Sequence, residues 1–141
     1  LGPGGTWERC TVERDGRRLH VDGWSFPAEH VRDDPLATYR PPAGDDTPVL
    51  GLLHCELDAP GGRYAPTTRA ALHASGVALW LLGHVHAPAL HAAVGGAPLL
   101  YPGSPQAMDP GEPGAHGAWE VTLRAGAPLA PTFVPLSSVH Y

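Results

Sequence analysis

Three histidines carry the chemistry written most plainly into this sequence. His54 follows the apolar run "VLGLL", and His84 and His86 stand in "WLLGHVHAP", at the end of the run "VALWLL". Uninterrupted apolar runs of this kind suit central strands covered on both faces. In an open α/β sheet, ligands collect beyond the carboxyl ends of the strands. Imidazoles at two neighbouring strand ends would therefore emerge at one rim. His86, two residues past His84 in extended backbone, would point to the same side. The pattern predicts a divalent-metal constellation of His54, His84 and His86. Gly83 lets the chain turn sharply there, and Pro88 keeps the segment from rejoining the sheet. Imidazole ligands disfavour Mg²⁺, which prefers oxygen.

Histidines alone do not make a hydrolytic two-metal centre, which needs carboxylates to bridge and neutralise the ions. The candidate acids are Asp58, Asp109 and Glu112, all in loops, and none is placed at a strand end where it would bridge. Three imidazoles around a single zinc are the alternative that needs no other chain. The other histidines, His20, His30, His73, His91, His116 and His140, are expected to be structural or solvent-facing.

The elements that must position these residues are readable from pattern. Residues 8–26 read as a hairpin about Asp15-Gly16, with Val12, Leu19 and Val21 on one side. A polar, proline-marked loop over 27–48 has room for a helical turn near 29–37. A strand over 49–57, a helix over 67–76 and a strand over 77–82 make a βαβ unit, so its strands should be parallel. Thr67 is the expected N-cap, Gly76 the residue that ends the helix, and Ala71, Leu72 and Ser75 its sheet-facing side. Residues 89–101 read as a hairpin about Gly95-Gly96, and 118–124 and 131–137 as later strands. The fold class is α/β, a mixed sheet with many strands and few helices.

With 141 residues the chain fits one domain with a core of its own. Its 18 Gly and 17 Pro predict many turns and short elements. The formal charge of −5 argues against a basic face that holds nucleic acid unaided, and bound divalent cations would offset that charge locally. Cys10 and Cys55 make no disulfide framework, and Cys55 is expected to be a buried, reduced structural residue. There is no membrane-length apolar run and no signal peptide, so a cytoplasmic location is the expectation. The opening "LGPGG" reads as though the chain begins partway into something longer.

Taken together, "LLHCEL", "LLGHVHAP" and "LLYPGSPQAMDPGEPGAHGAWEVTL" resemble the C-terminal half of the calcineurin-like metallophosphoesterase domain. Within it they are most similar to the bacterial DNA-repair exonucleases of the SbcD-like group. "GWSF" and "RYAPTTRAAL" share the resemblance, which covers roughly residues 20–124. It implies a mixed-sheet β-sandwich with flanking helices, present here only as its C-terminal part over 1–126. Residues 127–141 would then be a terminal strand or the start of a further segment. It implies two divalent ions of the Mn²⁺ type that hydrolyse phosphodiester bonds, with His54 and His84 on one ion and His86 on the other. Tyr101, Gly103 and Ser104 match a turn read as shaping the rim. By the same resemblance the substrate is DNA and the partner an SbcC-type ATPase.

The first half of that family's domain, with its D-x-H strand end, bridging Asp and N-H-D motif, has no counterpart here; Gly44-Asp45 lies in the wrong context. The expectation is a chain that supplies histidine ligands, is inactive alone, and is completed by an N-terminal half. Without that half, exposed sheet surface should promote self-association. The other reading is a non-catalytic binding or accessory domain on the same scaffold.

Overall fold

Asp15 and Gly16 both adopt positive φ, 52° and 70°. That is the turn geometry whose twist matches a two-residue hairpin. It joins β1 (Trp7–Arg14) to antiparallel β2 (Arg17–Trp24). The computed structural model describes residues 4–44, 46–92, 94–122, 130–139 and 141. Asp45, His140, the first residues of "LGPGG" and the 126/127 boundary lie outside the described residues.

The hairpin buries the face opposite to its apolar one. Val12 pairs with Leu19, yet Val12 is 49% exposed, while His20, Asp22 and Trp24 are buried. Asp22 can go inside because it is fully partnered. Arg9 Nε and Nη2 donate to its two oxygens at 2.7 and 2.6 Å, and the Tyr39 hydroxyl donates at 2.8 Å. Burial alone would raise the Asp22 pKa. The hydrogen bonds from Arg9 and Tyr39, with the Arg9 charge, outweigh it and hold the carboxyl below its ordinary value. A carboxyl depressed by folding contributes stability above its unfolded pKa and loses it as the pH falls through the folded value. Asp22→Asn is therefore expected to cost about 2 kcal/mol at pH 7, the scale of hydrogen bonds to a charged group. The gap from wild type should begin to narrow below about pH 4 and close only as the pH falls through the lower folded value; urea titrations at pH 7 and pH 3 would show a pH-independent gap if the charge is irrelevant.

Beyond β2 the sheet runs parallel. β2 pairs with β3 (Val49–His54), β3 with β4 (Leu79–Gly83), and β4 with β6 (Leu99–Tyr101). β5 (Ala89–His91) closes the far edge antiparallel to β6, giving the order β1-β2-β3-β4-β6-β5. The parallel pairing of β3 and β4 and the hairpin over 89–101 are as expected from the pattern. β3 stops at His54, short of the expected residue 57.

The crossover helix is α1 (Arg69–His73), five residues long. Its N-cap is Thr68, whose side chain accepts from the Ala71 amide at 3.1 Å, rather than Thr67. Thr67 is occupied one step earlier: its backbone N–H and C=O bond to Glu56 and Asp58 across a parallel bridge with Leu57. A residue used in both directions by an extended bridge cannot start a helix. The helical turn expected near 29–37 is a 3-10 turn at Pro35–Thr38, capped by Asp34.

Most of the core lies on one side of the sheet. α1 packs there through buried Leu72, and the Trp80 indole N–H donates to the Leu72 carbonyl and the Ser75 hydroxyl. Trp80 lies across its register partner Gly51, where a Cβ would stand 2.2 Å from the ring. Trp7 and Tyr39 complete an aromatic cluster with Trp80, at centroid separations of 4.7–5.8 Å.

The other side departs from expectation. β3 was to be covered on both faces, but its burial alternates, with Val49, Gly51 and Leu53 buried and Leu52 40% exposed. The register places Val21, Leu50, Leu52 and Leu81 on this opposite face, none of them buried, whereas Leu79 and Leu100 on the same face are buried. Helices are scarce: α1 is the one α-helix among the described residues, and it lies on the Trp80 side. The late strands β7 (Gly117–Thr122) and β8 (Ala130–Pro135) pair with each other as a separate two-stranded sheet.

Candidate metal centre

The parallel register does what the strand-end argument requires. His54 pairs with Gly83, so His54 and His84 leave the sheet side by side with ring centroids 5.4 Å apart, edge to face. Two local devices set this geometry. A Cβ on residue 83 would lie 2.7 Å from His54 Nδ1, so the absence of a side chain at Gly83 is what lets the His54 ring stand against β4. His84 itself has φ +98°, a conformation that L residues avoid. The Tyr64 ring packs on His84 at 5.6 Å and Phe26 on His54 at 5.8 Å. Tyr64 is held by Glu56, whose Oε2 accepts from the Arg63 and Tyr64 amides at 2.6 and 3.3 Å.

Burial, then the charges of His84 and His86, lower the His54 pKa below its ordinary value. At pH 7 the ring is neutral and its lone pair is free to act as a ligand.

His86 stands at the same rim and is held from a third direction. The turn after β6 approaches so closely that a Cβ on Gly103 would meet the His86 carbonyl at 2.6 Å, and the Ser104 amide donates to that carbonyl at 2.9 Å. Gly103 and Ser104 thus brace the His86 backbone at the rim. The side chain of His86 points its Nδ1 to Glu112 Oε1 at 2.5 Å. That hydrogen bond, with the one from the Met108 amide, lowers the Glu112 pKa. An open cleft of about 540 Å³ runs past His54, His84 and His86, floored by Leu52 and Leu81 and walled by Ser104.

The other candidate acids are engaged elsewhere. Asp58 accepts from the Arg69 amide and guanidinium at the start of α1, and Asp109 accepts from the Gly111 amide. Among the described residues no three His, Cys, Asp or Glu side chains gather closely enough to hold a metal ion. A single zinc on His54, His84 and His86 therefore has no support in this geometry. The donors match only the histidine part of a two-ion centre, two imidazoles converging and a third set apart, with no carboxylate placed to bridge among the described residues.

Of the remaining histidines, His20 and His116 are buried, and His73 Nδ1 bonds the Ala97 carbonyl at 2.6 Å. His116 had no role in the sequence beyond a structural default. It is 1% exposed and joins Ser104, through a 2.8 Å contact with its hydroxyl, to the Glu112 carbonyl at 3.3 Å. Cys55 is buried as expected, and burial, with the charge of Asp34, pushes its thiol up to about 12. Cys10 is free and exposed.

No family model matches the chain. Over 123 residues it is 33% identical to an uncharacterized metallophosphoesterase, YhaO of Bacillus subtilis strain 168. The match takes in 84% of this chain and spans 29% of that relative's length.

Proposed function

We propose, from the premise that this chain is related to the metallophosphoesterases over most of its length, that it supplies the histidine side of a two-metal phosphodiesterase centre. The observation that carries the reading is the pair of strand-end rings, His54 and His84, 5.4 Å apart in register. His54 and His84 would hold one ion and His86 the other. Two divalent ions bound there would neutralise the phosphate and supply a nucleophile at neutral pH. Manganese fits the mixed imidazole and carboxylate donor set of such a site better than Mg²⁺. The residues of this chain present neutral imidazole at a fixed spacing, exclude side-chain bulk at Gly83 and brace His86 from behind.

The bridging carboxylates and the general acid would come from an N-terminal half of the domain. The uncovered side of the sheet around Leu52 and Leu81 supports this, being apolar and adjacent to the histidines. DNA is the substrate we favour and exonucleolytic repair the role, with an SbcC-type ATPase as partner; these rest on the motif resemblance. With a charge of −5, DNA contacts would fall to the metals, the other half or the ATPase. Two unpaired cysteines suit a reducing cytoplasm, and among the described residues no helix is long and apolar enough to cross a membrane. The same uncovered face also favours a second reading, an accessory domain that binds a partner protein and has no chemistry.

The test is hydrolysis of linear duplex DNA and of a small aryl phosphodiester in Mn²⁺, by the chain alone and mixed with the N-terminal half. The mixture should be active and the chain alone silent. Activity of the chain alone would defeat the carboxylate argument. A stable but silent complex would favour the accessory domain, and cleavage of the aryl ester without DNA would remove the nuclease assignment.

A further inference from the structure

We infer that Glu112 is the positioning residue that decides which nitrogen of His86 faces the metal. The inference rests on the reading of His86 as a ligand. Four observations carry it. Glu112 Oε1 takes His86 Nδ1 as its partner, and an ionised carboxylate can only accept, so the proton sits on Nδ1 and Nε2 carries the lone pair. The carboxylate is itself fixed, because its Oε2 accepts from the Met108 amide at 2.9 Å. Its backbone is fixed too: the Glu112 amide donates to the Asp109 carbonyl at 3.1 Å, closing a turn in which the Gly111 amide donates to Asp109 Oδ1. Finally, buried His116 ties the Glu112 carbonyl to Ser104, whose amide holds the His86 backbone. One buried histidine thereby couples the loop that carries Glu112 to the turn that braces the His86 backbone.

A histidine ligand whose second ring nitrogen donates to a carboxylate is fixed in tautomer and orientation and is a stronger base toward the metal. Glu112 would do this for His86 only: neither His54 nor His84 shows a carboxylate contact among the described residues, and their rings are steadied by Phe26 and Tyr64 instead. The acidic loop after the Tyr101–Ser104 turn thus serves the metal site from outside it.

Long-range ¹H–¹⁵N spectra of this chain at about pH 8, where an unperturbed imidazole is neutral, should show His86 as the Nδ1–H tautomer. Glu112→Ala should shift the ring toward Nε2–H, and Glu112→Gln, whose amide oxygen still accepts, should retain Nδ1–H. An unchanged tautomer in Glu112→Ala would overturn the inference. In the chain joined with its N-terminal half, calorimetry with Mn²⁺ should show about 10- to 100-fold weaker binding for Glu112→Ala. Glu112→Gln should restore most of it, and Glu112→Ala should have no further effect on a His86→Ala background. Full loss for His86→Ala with none for Glu112→Ala would refute the positioning role and leave the ligand reading intact. Unchanged Mn²⁺ binding in His86→Ala would remove both.

Discussion

Replacing His84 by glycine is expected to make the chain more stable and the completed enzyme inactive. The two effects share one cause, the φ of +98° at residue 84. A non-glycine residue held in such a conformation costs about 1–3 kcal/mol, and glycine does not pay it. Glycine brings an entropic penalty of its own and forfeits the Tyr64 contact, so the net gain should be about 1 kcal/mol. His84→Ala keeps the strain and loses the ring, and should be no more stable than wild type. Both variants should lower phosphodiesterase activity of the completed domain by more than about 100-fold, since even residues behind a metal ligand cost about 10- to 100-fold. The side chain is exposed, so this loss would come without unfolding. Urea denaturation of the three proteins and activity in Mn²⁺ together decide the matter. A glycine variant that keeps activity would strike His84 from the ligand set. A glycine variant no more stable than the alanine variant would mean that the conformation stores no strain for the ring.

The histidines were legible because their signal is local. An apolar run followed by histidine places an imidazole at a strand end, and a helix between two such runs makes the strands parallel. Nothing more than adjacency was then needed to bring His54 beside His84. What pattern could not give was the means of holding them. The role of Gly83 depends on where the His54 ring lies in the neighbouring strand, and that of Glu112 on a loop 26 residues beyond His86 folding back. Both are facts of tertiary packing. Burial was harder to read for the same reason. Pattern puts Val12, Leu19 and Val21 on one side of the hairpin, as the register has them, but which side faces the core depends on the salt bridge and tyrosine hydroxyl that allow Asp22 to go inside. The N-cap moved from Thr67 to Thr68 because a bridge to Leu57 claimed the first threonine. The expectation of doubly covered strands was drawn from apolar runs; on the second face it is met at Leu79, while at Leu50, Leu52 and Leu81 the described residues of this chain supply only part of the cover.

That half-cover leads to the last result expected, that Leu52→Arg should abolish both self-association and completion by the N-terminal half. Leu52 is 40% exposed in the isolated chain, between half-exposed Leu50 and His54 on the open face of β3. An arginine there can reach solvent, so the chain should fold with little loss. In any complex that covers the face, the guanidinium would be buried without a partner, at a cost of about 3 kcal/mol or more. That is more than about 100-fold in affinity. The face, rather than an edge, is the surface at issue. Edge strand β1 carries Glu8, Arg9, Glu13 and Arg14, charges of the kind that keep edges from pairing, and the other edge, β5, spans only Ala89–His91. The open patch around Leu52 of β3 and Leu81 of β4 has no such protection, and it leads directly to His54 and His84. Sedimentation of wild type should show concentration-dependent association that Leu52→Arg removes, and calorimetry should show the same variant failing to bind the N-terminal half. If the variant still associates, the contact runs through an edge or through the β7–β8 sheet. If it no longer self-associates but is still completed to full activity, the N-terminal half does not cover this face, and the carboxylates must reach His54 and His84 from the rim alone.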